Sequence, residues 1–183
     1  AAGFFSDAFA GLEAGPSWLT LNLSCPNTED DPVGNQSAEL ARALCGALSA
    51  TIDVPLWVKV GPDLSDEQLT AIVAAFGEAG VRAVVATNTL AQPVPEGDGV
   101  AGVSGSRLRP KALDVVSRLN RTIDVSGLPL DIVGGGGILS GADLLAFRAA
   151  GARAAMLYTA LVLRGPLAAA LILREAEMGE RDA

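Results

Sequence analysis

The chain contains no histidine, so proton transfer falls to Cys, Asp, Glu, Lys or Tyr, and the commonest metal ligand is missing too. Cys25 is the first candidate. It stands between Ser24 and Pro26 in NLSCPN, just past an apolar run, with Asn22 and Asn27 on either side. A thiol acts as base or nucleophile only as its thiolate, with a reference pKa of roughly 8.5, so its surroundings must favour that form. The flanking carboxamides both donate and accept, as recognition of an imide-like ring requires. Cys45 follows the helical pattern LARALCGAL and reads as small core filler.

Lys59 lies inside the apolar run LWVKVGP, where an unpaired ammonium would be costly to bury, so a negative partner is expected. That partner is an anionic ligand or a developing negative charge. A rival function is a Schiff-base lysine on a barrel enzyme, and the plainest alternative is a lysine snorkelling from an edge strand. Gly134–Gly137 follow one apolar run and precede a helix expected to begin near Ser140, a place where backbone N–H groups can cradle a phosphate. Tyr158 and Thr159 end the next run. A glycine run alone is often only a turn, but loops after the last two strands of a β/α barrel are a frequent phosphate site.

These residues need a scaffold that gathers them. Short apolar runs at Trp18–Leu23, Leu56–Val60, Ala83–Ala86, Leu130–Val133 and Ala154–Leu157 suit strands covered on both faces. Helical patterns alternate with them at Ala38–Ser49, Asp66–Ala79, Pro110–Asn120, Gly141–Ala150 and Pro166 to about Met178. Ser65 with Gln68 and Ser140 with Asp143 read as capping boxes, Pro110 and Pro166 suit first helical positions, and Gly80 and Gly151 sit where helices end. Alternation of this kind predicts right-handed crossovers and a parallel sheet, either a barrel or an open doubly wound sheet. Five strands cannot close a barrel that needs eight. Asn88–Leu108, rich in Pro and Gly, is read as a long functional loop. The polar residues fall at the strand ends where parallel β/α folds carry their sites: Asn22, Ser24, Cys25 and Asn27; Lys59; Thr87, Asn88 and Thr89; Gly134–Gly137; Tyr158 and Thr159.

The bulk numbers bound the rest. Half of the 183 residues are apolar, enough for one sizeable core, and a single domain over 1–183 is expected. Thirteen Lys and Arg against 21 Asp and Glu give a net charge of −8, which disfavours nucleic acid and anionic lipid as partners. Two cysteines are too few for a disulfide framework, so a reducing, cytoplasmic setting is expected. Neither a signal peptide nor a spanning segment is read in the sequence.

Six motifs in order, NLSCPN at 22–27, VKVGPDLS at 58–65, ATNT at 86–89, VSG at 103–105, GGGGI at 134–138 and YTALVLRGP at 158–166, resemble the dihydroorotate dehydrogenase family. The resemblance covers nearly the whole chain. It implies a (β/α)8 TIM-type barrel, here an incomplete one of about five β/α units. It also implies FMN at the barrel mouth and oxidation of dihydroorotate to orotate in pyrimidine biosynthesis. Asn22, Lys59, Thr87, Gly105, Gly136, Gly137, Tyr158 and Thr159 match cofactor positions, the last three at the phosphate, and Asn22, Asn27, Asn88 and Thr89 match substrate positions. Cys25 matches the catalytic base, with Lys59 beside it in the catalytic set. TNT and VSGSRLRPKAL look like the quinone-reducing, membrane-associated branch, whereas NLSCPN looks like the soluble branch, so both a quinone and a soluble acceptor stay open. The family's earlier strands have no counterpart before Ala1, so the chain is expected to be a C-terminal fragment that self-associates when isolated. Rival readings are a barrel enzyme using Lys59 for a Schiff base or a phosphate ligand, and a non-catalytic barrel module.

Overall fold

The computed structural model describes residues 15–24, 37–94 and 99–181. Five strands form one wholly parallel sheet: β1 (Leu19–Asn22), β2 (Leu56–Val60), β3 (Ala83–Ala86), β6 (Asp131–Gly135) and β7 (Ala154–Met156), in the order β1-β2-β3-β6-β7. Between them run α1 (Ala38–Ser49), α2 (Asp66–Glu78), α3 (Arg109–Ser126) and α4 (Gly141–Ala149), and α5 (Thr159–Arg164) and α6 (Ala168–Arg181) follow the last strand.

Residues next to each other across the strands sort into two faces. Leu21, Val58, Val84 and Ile132 share one row, and Asn22, Lys59, Val85, Val133 and Ala154 the next. Because side chains alternate along a strand, the first row points to one face and the second to the other. Val58, Val84 and Ile132 belong to the main core together with Ala41, Leu69, Phe76, Val115, Leu119 and Phe147 from the helices. The second face holds only a small buried cluster of Ala83, Val85 and Val133, with Trp57 packed on it. Among the described residues, all the helix packing is therefore on one side.

Neighbouring helices also touch in chain order, α1 on α2, α2 on α3 and α3 on α4, with α6 against α4. A doubly wound sheet would divide its helices between two faces and reverse its strand order at a switch point. Here the strand order never reverses and the helices never change side, which is a section of a β/α barrel. Among the described residues, each edge strand has a partner on one side only.

Local chemistry explains the boundaries. The Ser65 side chain accepts from Gln68 N–H at 3.2 Å and Gln68 returns the bond to Ser65 N–H at 2.8 Å, so α2 starts on the expected capping box, and Ser140 with Asp143 does the same for α4. Fully buried side chains such as Phe76, Phe147, Leu69 and Ile72 each contribute about 1.5–3 kcal/mol of transfer free energy.

Three elements differ from the expectation. The 88–108 segment is not all loop: β4 (Leu90–Pro93) and β5 (Val100–Val103) pair antiparallel as a separate ribbon, followed by a single 3-10 turn at Gly105–Arg107. Their sequences, LAQP and VAGV, carry too little strand propensity to be read from pattern. Helix α3 runs to Ser126 rather than Asn120, because Ile123 continues the buried stripe of Val115, Val116 and Leu119 and only Gly127, at φ 63°, stops it. The last helix stands about where expected, but a short helix that the pattern did not show, α5, precedes it, and Gly165-Pro166 separates the two.

Candidate functional site

A cavity of about 440 Å³ opens at the C-terminal ends of β2, β3, β6 and β7. Lys59 and Val85 form its floor from the helix-free face, Thr87, Asn88 and Thr89 leave β3 along one wall, and Gly135–Ile138 leave β6 along another. Met156, Leu157, Tyr158 and Thr159 contribute from β7, and Gly102, Ser104 and Leu108 from the segment after the ribbon. One cation, several hydroxyls, a carboxamide and glycine backbone thus converge over an apolar base, the composition of a small-molecule site. Two other grooves lie on the outer helical layer, one between α2 and α3 and one where α4, α6 and β7 meet, and neither collects such a set.

Hydrogen bonds fix the wall after β3. Thr87 N–H donates to Gly135 O at 2.8 Å and its hydroxyl to Asn88 O at 2.8 Å. Asn88 N–H reaches back to Val60 O at 2.9 Å, its Nδ2 donates to Ser24 O, and its Oδ1 accepts from Thr89 N–H at 2.9 Å. Both ends of that carboxamide are held, so its orientation is set before any ligand arrives. At the end of β1, Asn22 lies level with Lys59, and its Oδ1 accepts from the Ser24 N–H at 3.2 Å and hydroxyl at 3.1 Å. Leu23 N–H and the Ser24 hydroxyl both donate to Lys59 O, tying this turn to β2.

The four glycines do different work. A Cβ on Gly134 would strike Phe147 at 2.6 Å, so this glycine lets α4 sit tightly on the sheet. Gly135 lies at the cavity floor. Gly136 and Gly137 turn the chain with φ of 123° and 84°, and a Cβ on Gly137 would come closer than 3.0 Å to Gly105 O and within 2.8 Å of Arg109 Cβ. Gly105 in turn, at φ 72°, has Thr159 against the place its Cβ would occupy, and Ser104 Oγ meets Thr159 Oγ1 at 3.1 Å. Three loops therefore abut: 104–109, 135–138 and 158–159.

The start of α4 corrects one detail of the sequence reading. Leu139 and Ser140 N–H groups donate to Asp143 Oδ2 at 2.9 and 3.0 Å, and Gly141 N–H to Glu175 Oε2 at 2.8 Å. Carboxylates already fill the positive end of this helix, so a phosphate there has only the glycine loop itself and its neighbours to bind.

Of the residues singled out beforehand, Lys59, Thr87, Asn88, Thr89, Gly136, Gly137, Tyr158 and Thr159 line the one cavity. Gly105 lies directly behind it and Asn22 beside it, while Cys25 and Asn27 fall outside the described residues. The sequence reading missed Ser104, Leu108 and Met156 as lining residues. Ser104 stood next to Gly105 in the VSG motif and could have been found there; Leu108 and Met156 carry no signal beyond being apolar. Cys45 is fully buried, and burial alone pushes its thiol up to about 11, which suits core filler. Among the described residues no group of three Cys, Asp or Glu could hold a metal, and no helix is long and apolar enough to cross a membrane.

The family model for dihydroorotate dehydrogenase matches residues 6–178. A protein of Bordetella parapertussis named dihydroorotate dehydrogenase (quinone) is 37% identical over 188 residues, covering 95% of this chain and 53% of its own length. One of Pseudomonas paraeruginosa with the same name is 35% identical over 176 residues, covering 89% of this chain and 49% of its own. The chain thus spans about half the length of the curated relatives it matches. Among solved structures, the ligand-free DHODH of Eimeria tenella superposes with a TM-score of 0.76 at 26% identity, over 87% of this chain and 50% of that one. The same protein in complex with ferulenol gives 0.79 at 24% identity, over 96% and 53%.

Proposed function

This chain belongs to the dihydroorotate dehydrogenase family, and from that premise we propose that it carries the cofactor-phosphate and substrate walls of an FMN-dependent enzyme that oxidises dihydroorotate to orotate and passes the electrons to a quinone. The observation that carries the reading is the convergence of Lys59, Thr87, Asn88, Thr89, Gly135–Gly137, Tyr158 and Thr159 on one cavity at the strand ends. The residues present fit the cofactor: an apolar base of Val85, Leu108 and Leu157 suits a flat ring, and the loops joined by Gly105, Gly137 and Thr159 suit its phosphate. Bound there, the flavin would supply the two-electron redox chemistry that no side chain can.

The protein's own residues supply position and charge. Lys59 offers a cation at the cavity floor for negative charge on the bound cofactor. Asn88, clamped between Ser24 O and Thr89 N–H, presents a fixed amide to the substrate ring, with Asn22, Asn27 and Thr89 as further donors and acceptors. Cys25 takes the proton from the substrate carbon next to the one that loses hydride. The relatives' printed name favours quinone over a soluble acceptor, and since quinones reside in lipid, that step belongs at a membrane surface. The test is the visible spectrum of the purified full-length protein: a bound flavin that bleaches anaerobically with dihydroorotate is expected, and a colourless protein, or a flavin that dihydroorotate leaves oxidised, would sink the reading.

A further inference from the structure

The turn Leu139–Gly141 is gripped from two sides by charged side chains. Leu139 N–H donates to Asp143 while Leu139 O accepts from Arg164 Nη1 at 2.7 Å, so both polar groups of one residue are held by ionised partners. Asp143 is ion-paired with Arg109, the first residue of α3, and Arg164, at the end of α5, is ion-paired with Glu175 on α6. Glu175 also accepts from Gly141 N–H, and α6 lies so close that a Cβ on Gly141 would stand 2.5 Å from Glu175 Cβ. The four side chains come from α3, α4, α5 and α6. Helices α3 and α5 begin in or just after the 104–109 and 158–159 loops, and α4 begins just after 135–138, so these elements carry all three loops that abut at the phosphate end of the cavity.

We propose that the Arg109–Asp143 and Arg164–Glu175 pairs form a neutral clamp that positions the three loops for phosphate, making all four residues positioning residues for the phosphate group of the cofactor. This rests on the reading of the cavity as an FMN site. Charge balance matters because two carboxylates stand beside an anion site; each is matched by a guanidinium, so the clamp fixes geometry without opposing the ligand. Apolar packing could hold helices together equally well, but it could not hold a backbone N–H and C=O of the same residue in a fixed direction. Removing Arg164 frees Leu139 O, and removing either guanidinium leaves a carboxylate uncompensated near the phosphate.

The clamp acts on phosphate and not on the flavin ring, and this separates it from a merely structural role. In the full-length protein, Asp143→Asn and Glu175→Gln keep oxygen acceptors for the backbone N–H groups but lose the ion pairs; Arg164→Gln loses a guanidinium. Each apoprotein is titrated with FMN and with riboflavin, and its melting temperature is followed in inorganic phosphate. The clamp predicts FMN affinity lowered tenfold or more, riboflavin affinity changed less than twofold, and loss of the stabilisation that phosphate gives the wild type. Equal losses for FMN and riboflavin, or no loss for either, overturn it. A wild type that phosphate stabilises but that ignores both flavins refutes the FMN reading alone, and the clamp then stands or falls on the phosphate shifts. A wild type indifferent to phosphate and flavins overturns both.

Discussion

Gly137→Ala probes the junction of loops directly, and Gly80→Ala supplies its control. Both glycines have left-handed φ, 84° and 72°, so each substitution pays a similar conformational penalty of roughly 1–2 kcal/mol, offset in part by a stiffer unfolded chain. Around Gly80 nothing lies within 4 Å of the new Cβ, whereas at Gly137 the Gly105 carbonyl and Arg109 Cβ are in the way. Ordinary contact begins near 3.4 Å, so the Gly105 turn must retreat by roughly 1 Å, and overpacking of this kind costs about 1–3 kcal/mol. That retreat moves Ser104 and Gly105 away from Thr159. At about 1.4 kcal/mol per tenfold, phosphate contacts weakened by 1.5–3 kcal/mol cost roughly ten- to a hundredfold in FMN affinity. Urea titration of the apoproteins should show Gly80→Ala less stable by about 1 kcal/mol and Gly137→Ala by about 2–4 kcal/mol. Fluorescence titration should show normal FMN binding in the first and the loss in the second. If Gly137→Ala binds FMN like the wild type and is no less stable than Gly80→Ala, the loops do not abut as described and the phosphate assignment fails.

Three further outcomes follow from the same residues. Cys25→Ala should slow anaerobic flavin reduction by dihydroorotate by about a hundred- to ten-thousandfold with FMN still bound, and Cys25→Ser should keep part of the rate with its pH optimum moved upward; wild-type rates in Cys25→Ala would remove the residue from the mechanism. Glu175 is held below the usual carboxylate range by hydrogen bonding to Arg164 and then by Gly141 N–H. A depressed folded-state pKa gives stability that is present at neutral pH and disappears as pH falls through it, so the stability gap between wild type and Glu175→Gln should close below roughly pH 4, and a gap that widens on acidification would contradict the pairing. The 1–183 chain by itself should self-associate in sedimentation velocity, because among the described residues β1 and β7 each pair on one side only; a monodisperse monomer that also holds stoichiometric flavin would refute this.

The repeating order of strands and helices was legible because each buried strand is a short apolar run and each helix start carries its own chemistry, Ser65 with Gln68 and Ser140 with Asp143 above all. What stayed hidden was set by tertiary contact. The sequence could not choose between barrel and doubly wound sheet, since that depends on which face the helices take, and the runs AVVA and DIVGG are apolar on both. The β4–β5 ribbon escaped because Pro93 and Gly102 mask it; in the structure Gly102 instead leaves room for Thr89. The glycine run was read as one phosphate cradle, yet Gly134 serves helix packing, and only its close approach to Phe147 reveals that. Arg109, Arg164 and Glu175 were invisible as a group because their partners lie on other helices, and ion pairs 11 and 34 residues apart leave no periodic trace.

The division of the sheet into two faces explains why chemistry gathers where it does. On the helix side, Val58, Val84 and Ile132 are locked into a core shared with all six helices, and a polar group introduced there would have no hydrogen-bond partner. On the other side the buried cluster is only three residues deep, so Lys59 can sit one step from Val85 and still reach the cavity. The same economy exposes a flank: Met156, Tyr158, Leu161, Val162, Leu163 and Leu167 are exposed on β7 and the segment that follows it. Tyr158 and Thr159 belong both to this flank and to the wall of the cavity. A surface packed on this flank would therefore also touch one wall of the cavity.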